Sequence, residues 1–386
     1  MREHGREDFA RQNSGRAATR GGSAGARPGA GLRARLLLRA RPGGGGHSSH
    51  RVGRGKEAAQ GRAASWVTGA AGRMEPNVRF WIAERQSFVQ RFLQWTELLD
   101  PLNLFVSVEK IEKARELLFT NEDASRHALE DQRIQEAWTR SLSTVHPDSG
   151  KPIPTLFRPA ALLFFTTPAV FLSMMPAKGM MSAVLPQVSL YAYTTAFNVI
   201  NGNASYSRHT PESITLGAGV IASSTFFGVI PYLVQMKYSL DNPWIRRALP
   251  VAVLAHVSAM NVFASRGFEP VRGIEVMDKE GNVIGHSRRA GRKAVHETAI
   301  SRAVLFGTSA LFPEVFTYFF KRTRFFLKNP WSLWAVKLSC TTLAMGLMVP
   351  VSFSMFPQIG RIQCRNLEET IRSSTEETEL FYNRGV

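Results

Sequence analysis

Three asparagines close a long apolar stretch, and they are the side chains in this sequence best suited to binding chemistry. Residues 197–206 read FNVINGNASY and place Asn198, Asn201 and Asn203 close together. A carboxamide offers two donor hydrogens and an acceptor oxygen, and burying these groups unpaired costs free energy. The asparagines are therefore expected either to line a polar cavity or to cap a helix, and the choice separates a carrier from a scaffold.

A few further polar side chains lie within the apolar stretches. Asn261 and Glu314, which follows Pro313, are candidates for function, because an amide or a carboxyl group inside a bilayer is rarely accidental. A carrier would bring its polar groups to one cavity near the membrane midplane, formed by Asn198, Asn201, Asn203, Asn261 and Glu314. Lys337 is expected to extend to the membrane surface, and His256 to be a hydrogen-bonded core residue.

A second polar motif, HPDSGKPIP at residues 146–154, precedes the apolar part of the chain. Pro147 ends the preceding helix, and Asp148 with Gly150 favours a turn. A lone His-Pro-Asp is not a catalytic site, because no nucleophile and second base are positioned beside His146 as catalysis requires. The motif is therefore predicted to be a structural elbow.

Other chemistry has little support in the sequence. Cys340 and Cys364 are the two cysteines, too few for a disulfide framework, a CxxC metal site or the ligands of an iron–sulfur cluster. Motifs for phosphate, dinucleotide or nucleophilic chemistry do not occur. The sequence therefore predicts no catalytic residue, no metal site, no cofactor and no enzyme activity.

The basic character of the chain is concentrated at one end. The 386 residues include 48 Lys and Arg against 30 Asp and Glu, and residues 1–73 alone hold 15 basic and 4 acidic residues. That segment is rich in Arg, Gly and Ala, so it is expected to be disordered. It is either a mitochondrial presequence, suggested by LRARLLLRAR at residues 32–41, or an extension before an internal start at Met74. Nucleic acid is not an expected partner, because no aromatic residues interleave the arginines.

Residues 74–154 are expected to form a soluble helical region that ends in the HPDSG turn. Residues 78–99 space aromatic side chains along one helical face, and residues 107–119 and 129–145 continue the helical pattern. The aromatic face is expected either to pack on the next helices or to lie on a membrane interface, where tryptophan is favoured. Packing is the preferred interpretation.

Residues 155–357 contain the apolar runs that predict an integral membrane protein. A helix needs about 20 residues to cross a bilayer core, and six runs approach that length: 159–176, 183–200, 214–236, 249–264, 303–320 and 333–356. Three prolines interrupt the first run, which is expected either to cross or to lie at the interface. The predicted class is an all-α membrane protein with five or six transmembrane helices.

The longest connection, residues 265–302, is expected to carry a small β-hairpin before the fifth run. Residues 274–287 read IEVMDKEGNVIGHS and alternate apolar side chains around a turn at residues 279–282. Basic clusters follow the hairpin and also flank the far end of the next run, so the positive-inside rule gives no single orientation. Residues 358–386 are expected to be a C-terminal tail.

Several motifs stand in an order that resembles the sideroflexin family. HPDSGK resembles the family's HPDTGE, FNVINGN its FNxxxN segment, and AMNV at residues 259–262 the place of an asparagine followed by Ile-Pro. VMDKEGNVIGHS, FPQ at residues 356–358 and FYNRGV at the end also have counterparts. The likeness covers about residues 75–386, and the ordered set is specific although each motif is short.

The resemblance implies a multi-pass protein of the mitochondrial inner membrane, in contact with its lipids, with about five spans. Better-known sideroflexins resemble transporters of serine and similar small amino acids. The segments EPNVRFW, LQWTELLDP, DQRIQEAW and FGTSAL resemble a divergent branch of the family. That branch implies a role in the assembly of respiratory complex I and in mitochondrial iron homeostasis.

The sequence departs from the family pattern in the motifs that resemble a substrate path. Lys151 replaces a glutamate, Phe263 stands where the family has proline, and the asparagine segment is shortened. We therefore expect a non-catalytic protein whose partners are complex I subunits or assembly intermediates. A carrier of serine or a similar small amino acid is the alternative.

Overall fold

The computed structural model describes residues 74–83, 86–120, 132–177, 179–205, 211–238, 241–321, 323–324 and 328–386. These residues belong to one compact unit, Val67–Val386. The predicted basic tail, residues 1–73, lies outside the described residues. The described part is mostly helical with one small sheet, which confirms the predicted class of a helical membrane protein.

The described residues before the membrane part form the helices α1 (Pro76–Ala83), α2 (Phe88–Leu98), α3 (Val108–Thr120) and α4 (Gln132–Thr144), with a 3₁₀ turn at Pro101–Phe105. The single helix predicted over residues 78–99 is wrong, because Ser87 begins a new helix. The Ser87 hydroxyl accepts a hydrogen bond from the Gln90 amide at 3.4 Å, and the Gln90 side chain accepts one from the Ser87 amide at 2.8 Å. This capping box separates α1 from α2.

The next described helices are α5 (Ala161–Ser173), α6 (Met180–Ile200), α7 (Pro211–Lys237), α8 (Pro243–Ser265), α9 (Phe268–Arg272), α10 (Arg288–Phe320) and α11 (Pro330–Ser354). By length and composition, α7, α8, α10 and α11 can cross a membrane. Helix α6 also has the length, at 21 residues, but it is not among these four candidate spans. Helix α5, with 13 residues, reaches only about 20 Å, so the first predicted run is too short to cross as a helix.

Helix α10 is longer than the run that predicted it. It begins at Arg288 instead of Ala303 and has 33 residues, which corresponds to about 50 Å. The second half of the predicted connection is therefore helical. Helix α10 packs along both α8 and α11, so it forms the centre of the helical bundle.

The described strands are β1 (Ile274–Met277), β2 (Val283–Ser287), β3 (Ile359–Gln363) and β4 (Glu379–Asn383), in the antiparallel order β2-β1-β4-β3, with the short helix α12 (Glu369–Arg372) between β3 and β4. The hairpin of β1 and β2 is confirmed, with Ile274 opposite Ser287 and Gly281 at φ +81° in the turn. Strands β3 and β4 were not predicted from the sequence. Residues 358–386 form half of the sheet instead of a tail.

The aromatic face of the first helices packs on the membrane bundle. Trp81 stacks on Trp95 with ring centroids 5.9 Å apart, and Trp95 contacts Phe353 of α11 at 4.9 Å. Arg91 also donates a hydrogen bond of 2.9 Å to the carbonyl of Ser354, where α11 ends. Packing, the preferred interpretation of this face, is confirmed.

Replacing Trp95 by alanine is expected to loosen α1 and α2 from the bundle. Trp95 is 2% exposed, and truncating a buried aromatic side chain costs about 3–5 kcal/mol of folding free energy. The matched control is Phe88→Ala in the same helix, because Phe88 is 46% exposed. Thermal unfolding in detergent, with limited proteolysis between α1 and α2, measures both variants. Equal destabilisation by the two would contradict this packing.

Candidate functional site

Helix α6 carries a polar stripe along one face. Gln187, Tyr191, Thr195 and Asn198 follow one another at steps of three or four residues, which places them on the same side of the helix. All four side chains are buried. The stripe runs from the first third of α6 nearly to its end. It connects a hydrogen-bonded cluster at Asn198 with a cavity at Gln187.

The first of these regions is a closed cluster around Asn198 and Asn261. The Asn198 amide donates to the side-chain oxygen of Asn261 at 3.1 Å. The Asn261 amide in turn donates to Thr195 at 2.8 Å and to Ser224 of α7 at 3.2 Å. The cluster therefore joins α6, α7 and α8 by hydrogen bonds, and both donor hydrogens of Asn261 are used within the protein.

Asn201 and Asn203 shape the chain where α6 ends. The Asn201 amide donates to the carbonyls of Phe157 at 2.9 Å and Phe197 at 3.1 Å, and its own carbonyl accepts from the Val386 amide at 3.1 Å. The Asn203 side-chain oxygen accepts from the backbone amide of Ser205 at 2.9 Å. Bonds of this kind are typical of a helix end followed by a turn. Neither asparagine lines the cavity that Glu314 borders.

The HPDSG motif binds to this turn. The Nδ1 atom of His146 accepts from the Asp148 amide at 3.2 Å, so Nε2 carries the hydrogen and donates to the Gly202 carbonyl at 2.8 Å. The Asp148 carboxylate accepts from the Ala204 amide at 3.0 Å and from the Asn383 side chain at 2.7 Å. Gly150 has φ +61°, which favours glycine at the bend. The elbow thus ties three distant segments together.

A buried ion pair that was not predicted from the sequence lies beside the same turn. Arg266 Nε and Nη2 each lie 2.7 Å from an oxygen of Glu269. The Glu269 carboxylate also accepts a hydrogen bond of 3.2 Å from the backbone amide of Asn203. Arg266 further donates to the Arg384 carbonyl at 2.6 Å and to Thr298 at 3.0 Å. A charged pair three residues apart at a helix end was the available signal, but its distant partners were not visible in the sequence.

Two more buried arginines stand near this pair. Arg384 donates to the Phe353 carbonyl at 3.0 Å, and Arg302 donates to Ser352 at 3.1 Å while its guanidinium lies over the Phe353 ring. Burial lowers the pKa of the Arg384 guanidinium to about 10, although the nearby Glu297 carboxylate raises it. Arg384 therefore stays charged at neutral pH, and the C-terminal segment is anchored by a charge inside the protein.

The other region of the α6 stripe opens into a cavity of about 510 Å³. Gln187 and Tyr191 project into it, and the ends of α7, α8, α10 and α11 complete its wall. The Gln187 Oε1 and Tyr191 Oη atoms are buried without a hydrogen-bond partner among the described residues. Unpaired buried polar atoms are unusual, so this cavity is the part of the bundle best suited to a polar ligand.

Glu314 lies in the wall of the same cavity, between two cations. Its carboxylate pairs with Arg247 of α8 at 3.3 Å and with Lys337 of α11. Lys337 also donates to the Met174 carbonyl at 2.8 Å. The ammonium group of Lys337, which was expected to extend to the membrane surface, is therefore paired with an opposite charge on the neighbouring helix α10.

The five predicted binding residues occupy three places. Asn198 and Asn261 are in direct contact, Asn201 and Asn203 shape the turn after α6, and Glu314 lies in the cavity. The expected convergence on one cavity is therefore not observed. Gln187 and Tyr191, which do line the cavity, continue the helical period of Asn198, and that period was the signal in the sequence that could have found them.

The described residues hold no group of three or more His, Cys, Asp or Glu side chains that could bind a metal ion. His256, expected in the core, lies instead on an exposed face of α8, where its Nδ1 contacts the Ala252 carbonyl at 2.9 Å. Cys340 and Cys364 are buried and free.

Exchanging the partners of the elbow tests its role. Asp148→Asn can place a donor amide opposite the Asn383 amide, and Asn383→Asp places two carboxylates next to each other. Each change is expected to lower the free energy of unfolding by about 1–3 kcal/mol. The double variant Asp148→Asn, Asn383→Asp restores one donor and one acceptor and is expected to recover most of the loss. Thermal unfolding in detergent measures all three proteins. Additive losses in the double variant would contradict the proposed tie.

The chain is similar to one protein family over most of its length. The family described as Sideroflexins matches residues 76–386. "Sideroflexin-4" of Bos taurus is 71% identical over 313 residues, which cover 81% of this chain and 100% of that protein. "Sideroflexin-4" of Homo sapiens is 68% identical over 313 residues, with 81% of this chain and 93% of that protein covered. The corresponding protein of Danio rerio is 38% identical over 320 residues, again with 81% of this chain and 100% of that protein.

No solved structure matches the chain. The family match nonetheless begins where the described helices begin and includes the HPDSG elbow, the asparagine turn, the hairpin and the C-terminal strands. The segments that the hydrogen bonds of the site tie together are thus all inside the matched region. By this match and by the identity of its relatives, the chain belongs to the sideroflexin family.

Proposed function

We propose that this membrane protein resides in the mitochondrial inner membrane and supports the assembly of respiratory complex I and iron and iron–sulfur homeostasis, without catalysis of its own. The observation that carries the proposal is the internal pairing of the asparagines. The side-chain amides of Asn198, Asn201, Asn203 and Asn261 all donate to groups of the protein itself. The residues that would form a substrate path act instead as structural ties, which favours a scaffold.

Exposed apolar side chains of the region before the membrane part offer a surface for such a partner. Phe88, Val89 and Leu93 of α2 are exposed, as are Leu102 and Phe105 of the 3₁₀ turn. Apolar surface that remains open on a folded region is typical of a site of protein contact. The partners proposed on this basis are complex I subunits or assembly intermediates.

Replacing the two most exposed of these side chains tests the assembly role. In cells that lack the protein, re-expression of the unchanged chain is expected to restore mature complex I on native gels. Leu102→Ser with Phe105→Ser is expected to leave complex I close to the level of the knockout, because these residues are 74% and 83% exposed and contribute little to folding. Val271→Ser, at a residue 64% exposed on α9, is the control and should restore assembly fully.

The possible outcomes test the assembly role and the proposed contact surface separately. A knockout with normal complex I would exclude the assembly role altogether. Full restoration by the Leu102, Phe105 double variant would reject this surface as the contact and leave the assembly role to another part of the protein.

A carrier of serine or a similar small amino acid is the second candidate, and the cavity favours it. A zwitterion carries one positive and one negative group, and the cavity wall presents the Glu314 carboxylate together with the cations of Arg247 and Lys337. The unpaired oxygens of Gln187 and Tyr191 add hydrogen-bonding capacity. A volume of about 510 Å³ is ample for such a ligand.

Uptake of labelled serine into proteoliposomes tests the carrier. Glu314→Gln is expected to lower the initial rate at least about tenfold, because it leaves two cations of the cavity without their counter-charge. Asn203→Ala, outside the cavity, is the control for general damage. A purified chain that takes up serine no faster than empty vesicles would reject the carrier.

A further inference from the structure

One end of the helical bundle carries side chains that mark a membrane surface. Aromatic residues are exposed at the ends of three membrane helices, and tryptophan and tyrosine are favoured at the boundary between lipid and water. They are Tyr238 after α7, Trp244 in the first turn of α8, and Trp331 and Trp334 in the first two turns of α11. Helix α10 ends at the same level, because the ring centroids of Trp244 and Tyr318 are 4.4 Å apart. This end of the bundle is therefore expected to lie among the lipid headgroups.

The cavity of about 510 Å³ reaches this end and has an excess of positive charge. Four cations and two carboxylates line it, which gives a net charge of +2: Arg246, Arg247, Lys321, Lys337, Asp241 and Glu314. The Glu314 carboxylate pairs with Arg247 and Lys337. No described carboxylate forms an ion pair with Arg246 or Lys321. The excess positive charge therefore lies at these two residues.

Arg246 stands where its own helix does not favour a cation. It is the fourth residue of α8, and the dipole of a helix is positive at its N-terminus. The Gln235 side chain donates to the Arg246 carbonyl at 3.4 Å, which joins this turn of α8 to the end of α7. An anion beside Arg246 would offset both the charge of the guanidinium group and the dipole of the helix.

Each of the two cations follows an exposed apolar residue. Ile245 precedes Arg246 and is 52% exposed, and Phe320 precedes Lys321 and is 43% exposed. A phospholipid matches this combination, because its phosphate lies at the headgroup level and its acyl chains lie in the apolar layer. A soluble phosphate compound would leave the apolar residues uncovered. The arrangement therefore favours a lipid as the source of the anion.

We infer that Arg246 and Lys321 bind the phosphate of an anionic phospholipid, whose acyl chains lie along Ile245 and Phe320. Basic pockets between membrane helices bind such headgroups because they supply charge at the level of the phosphate. The site leaves the ion pairs of Glu314 intact. The inference therefore depends neither on the role in complex I assembly nor on the carrier role.

Native mass spectrometry of the purified full-length chain tests the inference. The chain is reconstituted in nanodiscs that contain phosphatidylcholine and phosphatidylglycerol, and the lipids that stay bound after the disc is removed are counted. Phosphatidylglycerol is expected to be retained in preference to phosphatidylcholine, because its headgroup has a net negative charge. Added inorganic phosphate is expected to leave the bound phosphatidylglycerol in place.

Two substitutions connect the retained lipid to the proposed site. Arg246→Gln and Lys321→Gln are each expected to lower the retention of phosphatidylglycerol about fivefold, the effect of one cation near an anionic membrane surface. The double variant is expected to lower it about twenty-five-fold, because the two effects add in free energy. Lys237→Gln is the matched control and should change retention little, since Lys237 is an exposed cation at the same end of the bundle but outside the cavity.

Four results would overturn the inference. Equal retention of the two lipids by the unchanged chain would show that the headgroup charge is not recognised, and this comparison requires no variant. A double variant that keeps phosphatidylglycerol, or a Lys237→Gln variant that loses it equally, would place the lipid elsewhere. Displacement by inorganic phosphate would assign the two cations to a soluble anion. Arg246 and Lys321 are exposed, so the variants are expected to fold, and thermal unfolding in detergent without added lipid measures this.

Discussion

The buried ion pair between Arg266 and Glu269 is the interaction on which the arrangement of this protein depends. Removing two charges from water is expensive, and such a pair stabilises a fold only when its remaining polar atoms also find partners. Here those partners are Thr298 of α10, the carbonyl of Arg384 and the backbone amide of Asn203. Satisfying one ion pair therefore fixes the position of a membrane helix, the C-terminal segment and the turn after α6.

The same requirement, that buried polar groups have hydrogen-bond partners, explains the role of the asparagine segment. At the end of α6, backbone groups that lose their helical partners must be paired in a region with little water. Asn201 bonds the Phe197 carbonyl, His146 bonds the Gly202 carbonyl, and the Asp148 carboxylate accepts from the Ala204 amide. These polar residues resemble a substrate site by composition, but their hydrogen-bonding groups are already paired within the protein. This internal pairing is the physical argument for a scaffold over a carrier at this end of the helix.

The two ends of the α6 stripe differ in one respect that matters for function. The end at Asn198 is closed by hydrogen bonds among three helices, whereas the end at Gln187 opens into a cavity with unpaired oxygens and a carboxylate held by two cations. The surface proposed for a protein partner, around Phe105, and the cavity proposed for a small ligand lie in different parts of the molecule.

Local physical rules determined a good part of this protein from the sequence alone. The apolar runs predicted the membrane helices because a bilayer imposes length and composition, and the Gly281 turn predicted the hairpin because few residues adopt that backbone conformation. The break at Pro147 marked the elbow for a similar reason. The proposed resemblance to sideroflexins rested on short motifs in a fixed order, and the family match agrees with it.

Only the tertiary structure decided which partners those motifs have. Strand β4 pairs with β1, about 100 residues earlier in the chain, and Arg266 meets a carbonyl 118 residues away. Glu314 is separated from the asparagines and paired with Lys337, and Gln187 takes their expected place in the cavity. A sequence shows which polar groups enter the membrane. Which of them remain free to bind depends on the hydrogen bonds of every buried neighbour, and those neighbours come from distant parts of the chain.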